Sequence, residues 1–137
     1  MGIRFDMIGI FVNDLDKMVE FYRDVLGVEV KTTGDGYAIF EHEGIGFGMF
    51  ERAILPELLE EEPTYPNGLN GTFELAIDLP RFEDVDYEFE RLVEAGAKPV
   101  MEPKDVPWGQ RASAIADPEN NLIEIASWGK GAEEDRM

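Results

Sequence analysis

Cysteine is missing from the 137 residues and histidine occurs once. The first absence excludes disulfides, thiolate zinc sites, iron–sulfur clusters and a cysteine nucleophile. The second excludes any mechanism or metal site that needs several imidazoles. Positive charge is scarce. Twelve Lys and Arg stand against thirty Asp and Glu, a formal net charge of −18 at pH 7. Such a surface repels phosphate backbones and anionic lipid, so neither nucleic acid nor a membrane is an expected partner. It keeps the chain soluble and attracts cationic ligands. No apolar run approaches the ~20 residues of a membrane span. The opening Met1-Gly2-Ile3-Arg4-Phe5-Asp6 lacks the basic-then-apolar order of a secretory signal. Cytoplasmic residence is the default expectation.

What is present reads as a folded domain. Hydrophobic residues make up 44% of the chain and charged residues 31%, and the length suits one domain. Phe5 to Val12 is apolar and predicts a strand. Asn13 or Asp14 then offers an N-cap. Leu15, Met18, Val19, Tyr22, Val25 and Leu26 follow at helical spacing, and Gly27 suits the left-handed position that ends a helix. Strands are expected at 28–32, 37–41 and 45–51, separated by Gly34-Asp35-Gly36 and His42-Glu43-Gly44. Residues 52–71 read as a linker, with a short helix near 54–61 and then Pro63, Pro66, Asn67-Gly68 and Asn70-Gly71.

The same order then returns. Thr72 to Leu79 alternates like a strand. Phe82, Val85, Phe89, Leu92 and Val93 line a helix that Gly96 closes. Strands follow at 97–101, 110–116 and 122–128. The chain therefore holds an internal repeat, faintly visible in letters: Phe21 to Gly27 matches Phe89 to Gly96 with one residue inserted. The expected fold is α+β, with two βαβββ units (3–51 and 72–128), linker 52–71 and a frayed tail at 129–137. Together the units would curl eight strands into a half-open cup with helices outside.

Several segments carry a family resemblance. In the first half they are Asp6-Met7-Ile8-Gly9-Ile10-Phe11-Val12-Asn13-Asp14-Leu15, Phe21-Tyr22 and Leu26-Gly27. In the second they are Leu92 to Ala97, Trp108-Gly109-Gln110-Arg111 and Asp117-Pro118-Glu119-Asn120-Asn121-Leu122-Ile123-Glu124-Ile125. The sequence resembles the vicinal-oxygen-chelate superfamily, which includes glyoxalase I, bleomycin-resistance proteins and extradiol dioxygenases. In metal-dependent members, ligands come from the first and last strand of each unit. Carried over by position, the first-strand sites are Met7 and Glu74, and the last-strand sites are Gly48 and Glu124, with Gly46 or Glu51 as alternatives to Gly48. Two carboxylates are kept; a thioether and a bare hydrogen replace the other donors. The resemblance also implies a homodimer.

Two readings follow. In the first, the protein is a metal-free binder of a small organic ligand, cationic by preference. Glu74 and Glu124 are its anionic anchors, while Met7, Phe11, Gly48, Phe50, Trp108 and Arg111 line the ligand site. The second is a lyase, isomerase or dioxygenase. There Glu74 and Glu124 are catalytic, either as a general base or as ligands to Mn, Ni, Zn or Fe. Each residue also has a plainer role: Met7, Phe11 and Tyr37 in packing, Arg111 in an ion pair, His42 on the surface and Glu60-Glu61-Glu62 in a solvated linker. Trp108 is the aromatic best placed for a ligand, because a Pro-Trp-Gly loop has no need of a buried side chain.

Overall fold

Alternating strand residues and turn chemistry give a chain of eight strands and three helices in the computed structural model, which describes residues 2–131. In order these are β1 (Met7–Val12), α1 (Leu15–Glu20), β2 (Val30–Gly34), β3 (Tyr37–Phe40), β4 (Gly46–Glu51), α2 (Leu55–Leu59), β5 (Asn70–Leu79), α3 (Phe82–Glu94), β6 (Lys98–Asp105), β7 (Arg111–Ala116) and β8 (Asn121–Ser127). The chain divides into two units after Tyr65. Among the described residues no helix is long and apolar enough to cross a membrane.

The first unit holds a four-stranded mixed sheet ordered β1-β4-β3-β2, with β1 parallel to β4. The second repeats this as β5-β8-β7-β6, with β5 parallel to β8. The fold is α+β, a βαβββ order used twice. Each sheet buries one face against its helix. In the second unit Val85 and Leu92 of α3 pack with Ile115, Ile123 and Ile125. The alternate residues of β7 and β8, among them Ala112, Ala114, Leu122 and Glu124, take the other face.

The first helix departs from expectation. α1 is capped by the Asp14 carboxylate, which accepts from Lys17 N–H at 3.1 Å. It then widens into a π-helical turn over Phe21–Val25, with Leu26 N–H donating to Phe21 O at 3.1 Å. Widening lets two sequence neighbours, Phe21 and Tyr22, both enter the core. There the Tyr22 ring lies 5.6 Å from that of Phe47, and Phe40 stands 5.3 Å from Phe47.

The 52–71 stretch holds the short helix α2 and contacts of its own. Arg52 donates to Phe11 O at 3.1 Å and its guanidinium stacks 4.1 Å from the Tyr65 ring centroid. β5 begins at Asn70, earlier than the alternation predicts, because Asn70 N–H donates to Asn120 O at 2.8 Å. β6 runs on to Asp105. The Lys130-Gly131 end is attached, Gly131 N–H donating to Pro80 O at 2.8 Å. Residues 132–137 of the expected frayed tail lie outside the described residues.

Candidate functional site

The face of the second sheet away from α3 holds both candidate carboxylates, Glu74 and Glu124. Parallel pairing sets Glu74 opposite Leu122 and Ala76 opposite Glu124. The two carboxylates are therefore diagonal neighbours on adjacent strands. Antiparallel pairing sets Ala114 opposite Glu124 and Ala116 opposite Leu122, so small residues leave room above β7. Glu124 is half-buried and Glu74 is exposed. Burial first, and repulsion by Glu74 second, hold the Glu124 carboxyl above the usual carboxylate range.

Both carboxylates line a cavity of about 510 Å³. Its other walls are apolar: Leu69, Val100, Met101, Val106, Pro107, Trp108 and Leu122. Lys104 and Asp105 add one charge of each sign. The wall on the β6 side exists because β6 bulges. Two register shifts, between Pro99 and Met101 and between Met101 and Lys104, give β6 more residues than β7 opposite it. Pro99 and Pro103 cannot donate to a ladder, which suits this edge strand. Val100, Met101 and Lys104 were missed by sequence reasoning; the two prolines so close together were the available signal. Trp108 stands at the rim with 61% of its surface exposed, and its indole N–H donates to Gln110 Oε1 at 2.7 Å.

Arg111 is directed elsewhere. It forms a two-pronged ion pair with Asp86 of α3 at 2.6 and 2.7 Å, on the helix-covered face. This pairing raises the Arg111 guanidinium and holds Asp86 below the usual carboxylate range. His42 is exposed, its Nδ1 lying 3.1 Å from Ile45 O.

The remaining candidates lie in the first unit. Met7 pairs with Gly46, Gly9 with Gly48, and Phe11 with Phe50. Phe11 and Phe50 approach to 6.0 Å between ring centroids. Gly48 is buried, and hydrocarbon fills the space beside it. A Cβ there would meet Ile39 Cδ1 at 2.9 Å and the Phe50 ring at 3.3 Å. Gly9 is covered by the same ring, 3.0 Å from where its Cβ would sit. The position that mirrors Glu124 thus holds an aromatic packing contact.

The whole chain can be placed by comparison. The model of the glyoxalase/bleomycin resistance protein/dioxygenase superfamily matches residues 4–125. The chain belongs to this superfamily. It is 34% identical over 122 residues to the uncharacterized protein YraH of Bacillus subtilis (strain 168), covering 86% of this chain and 93% of that one. Among solved structures it is similar to a glyoxalase/bleomycin resistance protein/dioxygenase from Nocardioides. That match has TM-score 0.82 and 25% identity, over 96% of this chain and 87% of the other. A lactoylglutathione lyase from Agrobacterium tumefaciens shares the fold, with TM-score 0.70 and 22% identity over 93% and 95% of the two chains.

Superfamily members often use a metal ion, so the donors present must be tested against one. Glu74 and Glu124 are hard oxygen donors. Their counterparts in the first unit are a thioether, Met7, and Gly48, whose surroundings are filled by Phe50 and Ile39. Among the described residues no group of three or more His, Cys, Asp or Glu is assembled. This donor set does not fit a transition-metal site built on imidazole and carboxylate.

Proposed function

We propose that this superfamily member binds a small organic cation with a flat apolar body in the Glu74–Glu124 cavity. The observation that supports the reading is the pairing of two neighbouring carboxylates with a rim tryptophan in one mainly apolar cavity, where Asp105 offsets the charge of Lys104. A cationic centre near Glu124 would relieve the repulsion from Glu74, and an aromatic body would lie against Trp108. The overall charge of −18 draws such ligands in. A homodimer is part of this reading. The exposed apolar side chains of Ile3, Phe5, Met7 and Phe11, on and before an edge strand, support it. Light scattering on purified protein tests it, a monomer mass at micromolar concentration counting against it.

Calorimetric titration with matched cationic, neutral and anionic aromatic compounds tests the ligand class. The cation should bind tightest. Glu124→Gln and Glu74→Gln should each weaken it by about tenfold, the worth of one charge-assisted contact. Equal binding of all three compounds, or no loss in either variant, refutes the assignment. The elevated Glu124 carboxyl also suits a general base. If a compound is turned over, Glu124→Gln should remove the turnover and not merely the affinity.

A further inference from the structure

The loop that carries Trp108 is closed by backbone hydrogen bonds and braced from outside by one guanidinium. Asp105 and Arg111 are the last register pair between β6 and β7. Between them the 106–110 loop closes through Val106 N–H to Gln110 O at 2.9 Å and Gly109 N–H to Val106 O at 3.1 Å. Gly109 supplies the reversal at φ +102°. Trp108 itself has little to hold it beyond its bond to Gln110, as its exposure shows. Its place over the cavity therefore depends on the stems. Arg111 Nη1 donates to Asp105 Oδ1 at 3.1 Å, joining one stem to the other. Its Nε and Nη2 grip both oxygens of Asp86, joining the two stems to α3. The Arg111 side chain is 25% exposed, while Asp86 and Asp105 are 49% and 85% exposed, so water screens the charges and the tie lies in the two-pronged geometry.

We infer that Arg111 is a positioning residue: held by Asp86 of α3 and Asp105 of β6, it fixes the stems of the 106–110 loop and so holds Trp108 over the Glu74–Glu124 cavity. Affinity for a flat cation then depends on a side chain on the opposite face of the sheet. This rests on the ligand reading above. A wall already in place spares the ordering of a side chain on binding, and losing it should weaken binding about two- to tenfold. Lysine keeps the charge but not the fork, so it should not restore the clamp.

The test uses Trp128→Phe protein, in which Trp108 is the remaining tryptophan, with the flat aromatic cation ethidium as probe. Arg111→Gln, Arg111→Lys and Asp86→Asn should each lower the fluorescence anisotropy of Trp108 while thermal unfolding stays cooperative. Each should raise the ethidium Kd about two- to tenfold. In a Trp108→Ala background, Arg111→Gln should cause no further loss, because its effect passes through Trp108. Unchanged Trp108 anisotropy in folded Arg111→Gln and Asp86→Asn protein overturns the clamp, whatever binds. An undiminished Arg111→Gln effect in the Trp108→Ala background overturns it as well. If the parent protein fails to bind ethidium while the anisotropy loss is seen, the clamp stands and the ligand reading falls.

Discussion

Glu124 is a carboxylate set among alanines, leucine and a second acid, and its titration follows from those neighbours. Burial and Glu74 raise its value in the folded protein above the unfolded one, so the folded state holds its proton more tightly there. That contribution is fully present below the unfolded value and is lost as pH rises through the folded one. Glu124→Gln should therefore raise the Tm by roughly 1–3 °C at pH 7. The gain should vanish below about pH 4, where both states are protonated. Thermal scans across pH check the sign; a gain that grows on acidification would contradict it. Gly48 makes the opposite case. The end of Ile39 and the ring of Phe50 must shift to admit a side chain, so Gly48→Glu should cost about 1 kcal/mol, read from urea unfolding. Nothing local in Gly46-Phe47-Gly48 announces this. The ring of Phe50 stands two residues along the same strand, but the end of Ile39 closes on Gly48 only once β3 and β4 pair.

At the scale of elements, the Asp117 to Asn121 turn shows a motif whose letters were legible and whose reason was not. The buried Asp117 carboxylate accepts from Glu119 N–H at 2.9 Å, from Asn121 N–H at 3.0 Å and from Asn121 Nδ2 at 2.9 Å. Asn121 Oδ1 in turn accepts from Asn70 Nδ2 at 3.2 Å, and Asn120 turns the chain at φ +66°. The turn thereby joins the start of β5 to the start of β8. Asp117→Ala leaves these buried donors without a partner and should cost about 1–3 kcal/mol, lowering the urea midpoint with an unchanged slope. The strands themselves were legible, since period-two alternation and glycine or asparagine turns mark them. The π-helical turn was not, because adjacent Phe21 and Tyr22 fit a helical stripe as well as they fit a widened one. The β6 wall was missed for a related reason: a bulge is defined by what the partner strand lacks.

For the whole molecule, charge is the controlling quantity. Thirty acids against twelve bases repel one another, and they attract cations over a distance that salt shortens from about 30 Å at 0.01 M to about 3 Å at 1 M. Two effects of opposite sign should follow. Added NaCl should raise the Tm by screening self-repulsion. It should also slow the association of a cationic ligand by roughly tenfold or more over the same range, measured by stopped-flow fluorescence. An association rate indifferent to salt would count against an acidic ligand site. By itself the sequence determined the charge, the βαβββ order used twice, the superfamily resemblance and the candidate carboxylates. These depend on composition, on local periodicity and on short motifs. Tertiary structure decided that Glu74 and Glu124 are diagonal neighbours lining one cavity with Trp108, that Arg111 is held by Asp86, and that Ile39 occupies the place beside Gly48. Each of these depends on strand register or on contacts that cross between elements, and no single segment encodes those.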